Sequence, residues 1–294
     1  MNYCCSLLSK KFVDNKIIYG IKCPKILINQ ELNLSSFEFI TALGHGYAST
    51  IFHTIHKKTK INCVLKVCMK TRLNLKEEER IRREIDIHST IWSKEILTLY
   101  ASIEDNQAFY LILEYANNGD LFSLIKKKNV NNIINITKFL NNIYIPILLG
   151  VSHLHEKNII HRDIKPENIL IVNDLVKICD FGLSIDCYKE RPNSLVGTIE
   201  YMAPEFFTGN TIDYTSAVDI WSLGVLLYEC LTGISPFIRE NNEEIEINIK
   251  NINYDKTLIS PNVQEFLSHI LVYDPTKRYN INQLLKHEFI ASNN

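Results

Sequence analysis

The chain of 294 residues is 46% hydrophobic, which suits one domain of two lobes with a substantial core better than several independent modules. Its net charge of −1, from 32 basic and 33 acidic residues, argues against a broad electrostatic grip on DNA, RNA or an anionic membrane. Eight cysteines without a C-x-x-C pair read as reduced thiols, Lys10, Lys11, Asp14 and Lys16 interrupt any signal-peptide core, and no apolar run reaches membrane-spanning length, so an intracellular soluble protein is expected.

In chain order, residues 1–36 mix Lys, Asn and Ile without a period and are expected to form a loose N-terminal extension. From Phe37 a strand pattern leads into Leu43-Gly44-His45-Gly46, and 62–67 is apolar and short enough for a further strand. Residues 75–91 place Ile81, Ile85 and His88 at helical spacing among charges, predicting a crossover helix. Two more strands are predicted at 97–103 and 108–115, around the turn Glu104-Asp105-Asn106-Gln107. Past Gly119, long apolar periodic stretches near 136–157, 215–232 and 262–272, with a shorter one at 281–288, predict helices. The expected fold class is therefore α+β. A small N-lobe, about 37–115, carries an antiparallel sheet and one main helix; a larger, mainly helical C-lobe, about 120–290, completes a domain over 37–290.

The most informative stretch is His161-Arg162-Asp163-Ile164-Lys165-Pro166-Glu167-Asn168, followed twelve residues later by Asp180-Phe181-Gly182. Asp163 can accept a proton from a hydroxyl, Lys165 can steady a transferred phosphoryl group, and Asn168 with Asp180 can hold Mg2+ against nucleotide phosphates. Here the chain resembles the eukaryotic protein kinase family, which implies ATP and Mg2+. Glycine is scarce, ten in all, yet Gly44 and Gly46 fall where a strand turns over, and side chains there would block close approach to phosphate. The kinase pattern has a third glycine where Ser49 stands, and Leu43 and the β-branched Ile51 border the base; an ordinary hairpin turn is the alternative.

In Cys63-Val64-Leu65-Lys66, strand alternation points Val64 and Lys66 to one face, from which Lys66 reaches the α and β phosphates. A buried ammonium needs a counter-charge, and Glu84, eighteen residues on, is the candidate unless it merely belongs to the charged run 77–84. Leu111-Ile112-Leu113-Glu114-Tyr115-Ala116 resembles the interlobe hinge, where adenine would bond to backbone at Glu114 and Ala116; Asp120 matches a ribose or substrate contact, with helix N-capping as an equal account.

Lys165 in Lys-Pro-Glu-Asn is the serine/threonine pattern, and Glu167 often faces basic residues upstream of the acceptor, so protein substrates with basic residues before the Ser/Thr are expected. Between Gly182 and Ala203-Pro204-Glu205 lies an activation segment in which Ser194 is the candidate regulatory phosphosite, positioned to pair with Arg162. Thr198 is expected to reach Asp163 and Lys165, while Glu205 with Arg278, and Asp219, tie the large lobe together. Arg82-Arg83-Glu84, the hinge, Ser194-Leu195-Val196-Gly197-Thr198-Ile199-Glu200-Tyr201 and His287-Glu288-Phe289-Ile290 together resemble the Aurora group. That resemblance implies spindle and chromosome-segregation substrates, an activating partner on the N-lobe, a nuclear and cytoplasmic location with spindle or centromere targeting, and no direct nucleic-acid or membrane contact. Leu183 stands where Auroras have Trp, which leaves a calmodulin-dependent or polo type as the alternative. A catalytically inactive scaffold is the rival from another class, disfavoured because Lys66, Asp163, Asn168 and Asp180 are all present.

Overall fold

The computed structural model describes residues 16–30, 32–46, 49–128, 135–208 and 213–292, which fall into two compact units. The first runs to Trp92 and takes in Leu97–Tyr115; the second comprises Ser93–Ile96 and everything from Ala116.

The first unit is a six-stranded sheet with strand order β1-β5-β6-β4-β3-β2, every neighbouring pair antiparallel. Its strands are β1 (Lys16–Tyr19), β2 (Phe37–His45), β3 (Ser49–His56), β4 (Asn62–Met69), β5 (Leu99–Glu104) and β6 (Ala108–Glu114). Two α-helices accompany them, a short α1 (Lys25–Ile28) and the long α2 (Leu75–Thr90). A capping box starts α2: the Asn74 side chain accepts from the Glu77 amide, and Glu77 accepts from the Asn74 amide. Ile81, Glu84, Ile85 and His88 then share its buried face at i, i+3, i+4 and i+7.

Residues 16–30 and 32–36 differ from the expected loose extension. Ile17 pairs with Ile103 as β1 joins the sheet edge, Leu27 of α1 is buried, and Leu32 and Leu34 enter the core beside Phe37, Leu65, Tyr110 and Ile112. A four-residue strand shows no hydrophobic period by itself; its position is fixed by a partner that follows the helix in sequence. Residues 1–15 of that expected extension lie outside the described residues.

The second unit begins with α3 (Leu121–Lys128) and a continuous helical stretch, α4 (Ile136–Phe139), one π turn over Leu140–Tyr144 and α5 (Ile145–Glu156). Two small antiparallel pairs follow: β7 (Ile159–Ile160) with β10 (Ile185–Asp186), and the hairpin of β8 (Ile169–Val172) and β9 (Leu175–Ile178). The central helix α6 (Ala217–Thr232) is mostly apolar and largely buried, which places it in the core. It stops at Gly233, whose φ of +82° lets its N–H reach the Glu229 carbonyl at 2.7 Å. Helices α7 (Asn242–Asn251), α8 (Pro261–Ser268), α9 (Ile281–Lys286) and α10 (Glu288–Ala291) each contribute buried residues to the same core.

Candidate active site

Asp219, in the first turn of α6 and fully buried, organises the segment ahead of the short Pro166–Asn168 turn. Its carboxylate accepts the backbone N–H groups of His161 (2.9 Å) and Arg162 (2.8 Å) and the ring N–H of His155 (2.9 Å). Burial alone would push this carboxyl up, but the His155 hydrogen bond and the His161 contacts outweigh it and hold the group below the usual carboxylate range. Arg162 sits at φ +69° and Asp180 at φ +62°, two of the non-glycine residues in left-handed backbone.

The suspended segment brings four predicted residues together. Asp163, 7% exposed, receives Nδ2 of Asn168 at 2.8 Å on one carboxylate oxygen, which Lys165 Nζ also approaches at 2.9 Å. Its other oxygen accepts from the Thr198 hydroxyl at 2.9 Å, and that hydroxyl accepts in turn from Lys165 Nζ at 2.7 Å. The remaining Asn168 Nδ2 bond goes to the Asp163 carbonyl at 2.8 Å, so its amide oxygen is the atom left to face a cation. Asp180 presents an exposed carboxylate, one oxygen of which accepts from Gly182 N at 3.3 Å. An amide oxygen and a carboxylate are hard donors that suit Mg2+.

In the first unit, Lys66 Nζ lies 2.8 and 3.0 Å from the two carboxylate oxygens of Glu84, whose side chain is only 5% exposed. Glu84 is thus a buried partner on the packed face of α2 and not part of its solvated run. Val64 and Ile51 are half-buried on neighbouring strands, Ile51 directly opposite Lys66, and Leu43 is exposed on β2. Gly46 N donates to Ser49 O at 2.8 Å, closing the β2–β3 turn; Tyr47 and Ala48 lie outside the described residues. Glu114 ends β6 with its carboxylate accepting Thr98 N at 3.1 Å. In the second unit Ala116 is half-buried, and Asp120 caps α3 by accepting Ser123 N at 2.7 Å, the capping role foreseen for it.

Residues 37–290 match the protein kinase domain family. The chain is 34% identical to an Aurora kinase of Schizosaccharomyces pombe over 89% of its own length and 73% of the relative's. It is 34% identical to an Aurora kinase of Candida glabrata (92% and 75%) and 33% identical to one of Saccharomyces cerevisiae (97% and 75%). The chain belongs to the Aurora group of protein kinases. It is accordingly a two-lobed serine/threonine protein kinase, a transferase whose phosphoryl donor is ATP, typically with a divalent metal, and whose acceptors are proteins. Among its described residues no helix is long and apolar enough to cross a membrane.

In the activation segment of the kinase, Ser194 is exposed, as a modifiable residue must be, but its link to Arg162 is indirect. Arg162 Nη1 donates to the Tyr214 hydroxyl at 2.6 Å, and that hydroxyl donates to the Ser194 carbonyl at 2.9 Å. Tyr214 was invisible as a participant in the sequence, because nothing in its surroundings marks which distant residue its hydroxyl meets. The scaffold pairs are in place: Arg278 donates to both carboxylate oxygens of Glu205 at 3.0 and 3.1 Å, both groups buried, in the bidentate geometry guanidinium favours.

Two further residues of interest escaped the sequence reading. Burial, then the charges of Glu167 and Glu200, push the Glu229 carboxyl up to about 7, and the Tyr201 hydroxyl donates to it. The available signal was a second acid, besides Asp219, inside the mostly apolar stretch 217–232, where burying a carboxyl is costly without a partner.

Proposed function

We propose that Asp163 orients the acceptor hydroxyl and takes its proton as the oxygen bonds to the γ-phosphorus and the bond to the ADP bridging oxygen breaks. The observation that carries this reading is the hydrogen-bonded set of Asp163, Thr198, Lys165 and Asn168, which fixes the carboxylate from three sides. Lys165 steadies the transferred phosphoryl group. Lys66, held by Glu84, takes the α and β phosphates of ATP, with Leu43, Gly44, Gly46, Ile51 and Val64 bordering the nucleotide and backbone at Glu114 and Ala116, with Asp120, completing its recognition. A Cβ built at Gly44 meets no atom of the described residues within 4 Å, so packing among those residues does not demand that glycine, which favours a ligand as the reason for it. Asn168 and Asp180 would hold Mg2+, which when bound neutralises charge on the phosphates.

Glu167, Glu200 and Glu229 support a preference for arginine or lysine upstream of the acceptor, since a guanidinium beside Glu229 would offset the burial and, after it, the charges of Glu167 and Glu200 that now hold its proton. Ser194 is the proposed regulatory phosphosite: a phosphate there would draw Arg162 away from Tyr214 and order the segment. Ile17, Tyr19 and Ile21, exposed on and just past the edge strand β1, offer apolar surface for an activating partner. By kinship with the Aurora kinases the physiological role is chromosome segregation and spindle control in nucleus and cytoplasm.

The test compares wild type with Asp163→Asn on an arginine-containing peptide with Mg-ATP. A loss of about a thousandfold in kcat is expected. Equal rates would refute the assignment.

A further inference from the structure

Far from the phosphoryl-transfer residues in sequence, three side chains of the second unit turn metal-binding atoms toward one another: Glu265 on α8, His269 just past its end, and His287 between α9 and α10. Among the described residues they are the one group of three or more His, Cys, Asp or Glu with all ligand atoms within 4.8 Å of one another. Nε2 of His269 lies 2.9 Å from one Glu265 oxygen and Nε2 of His287 lies 3.3 Å from the other. A tetrahedral ion with bonds of about 2.0–2.1 Å sets its donors about 3.3 Å apart, the separation already found between His287 Nε2 and its Glu265 oxygen, and the ligand atoms of all three residues lie within 4.8 Å of one another.

The imidazoles are held in advance. His269 stacks on Tyr279 with ring centroids 4.2 Å apart and planes 13° apart, and His287 packs edge-on against Phe266 at 5.0 Å. The two histidine side chains are 31% and 12% exposed, while Glu265 at 56% keeps the third ligand open to solvent for ion entry.

We infer that Glu265, His269 and His287 form a binding site for a divalent transition-metal ion of the zinc class, with water as the fourth ligand. Two imidazole nitrogens and one carboxylate oxygen suit zinc, copper or nickel better than magnesium, which takes oxygen donors. On ligation through Nε2 the proton that each ring now directs at Glu265 would pass to Nδ1, leaving a neutral imidazole as the ligand. At His287 ligation also gives up one contact, the 3.2 Å bond that Nδ1 accepts from Phe289 N. The bound ion ties α8 to the last two helices, so it stabilises the folded chain by linkage.

The full chain is titrated calorimetrically with Zn2+ alone, in wild type, Glu265→Gln and His269→Asn, with circular dichroism reporting the fold of each. Wild type is expected to bind one ion at this site, with the dissociation constant rising about tenfold or more in each variant and peptide phosphorylation unchanged. Zinc affinity reduced less than about threefold by either folded variant, or no binding by wild type at millimolar zinc, overturns the site. Glu265 is largely exposed, so if His269→Asn unfolds, Glu265→Gln decides alone.

Discussion

Thr198 offers the sharpest test of how the site is held. Its hydroxyl accepts from Lys165 at 2.7 Å while donating to Asp163 at 2.9 Å, so Thr198→Ala removes two hydrogen bonds to charged groups in one substitution. Bonds of this kind each contribute about 1.5–3 kcal/mol. The direct 2.9 Å contact between Lys165 and Asp163 survives, as does the Asn168 bond, so Asp163 stays held from two sides and the loss belongs near the lower end of the range for one bond. At 1.36 kcal/mol per decade, a loss of about 1.5 kcal/mol lowers kcat about tenfold. Steady-state assays with saturating Mg-ATP should register this in kcat, with KM for ATP little changed and Thr198→Ser restoring most of the rate. A Thr198→Ala enzyme retaining half of the wild-type kcat would show that the hydroxyl does not position Asp163.

Glu84→Gln should leave the protein folded and lower kcat/KM for ATP about tenfold to a hundredfold, because a neutral amide cannot hold Lys66 as the carboxylate does; unchanged ATP kinetics would remove Glu84 from the nucleotide machinery. Gly197 has φ +121° and a Cβ there would stand 2.8 Å from the Arg162 carbonyl, so Gly197→Ala must shift the backbone next to Thr198. Strain of about 1–3 kcal/mol follows, read as a lower melting temperature and at least a tenfold loss of activity in the same variant. Glu229 binds its proton more tightly folded, with pKa about 7, than unfolded, where the ordinary value is 4.5. Its stabilising contribution is therefore complete below about pH 4.5 and is lost as pH rises through 7. The stability difference between wild type and Glu229→Gln, followed by urea denaturation, should move against wild type between pH 5 and about 8; a pH-independent difference would contradict the raised pKa.

The parts of the site that were legible in the sequence are those whose chemistry is local or periodic. Asp163, Lys165 and Asn168 lie within six positions and need only one turn to meet, while Glu84 was found because Ile81 and Ile85 mark the packed face of its helix. The strand at Lys16–Tyr19 was not legible, because its existence depends on β5 and not on its own residues. The same reason hid Tyr214 and the part of His287 in its cluster: each acts through a contact between distant segments whose pairing no spacing encodes, whereas Glu265 and His269, four positions apart, could have been paired from the sequence. Asp120 shows the opposite case, since the capping account that the sequence allowed is the one the hydrogen bonding displays.

The hold of Asp219 on the His161 and Arg162 amides ties the local motion of the catalytic segment to the collapse of the whole unit. Those two N–H groups end on a carboxylate with 0% exposure at the start of the central buried helix, so no small fluctuation can offer them to water. In deuterated solvent they should be among the last amides to lose their protons, at the rate of global opening, whereas exposed residues around Ser194 exchange early.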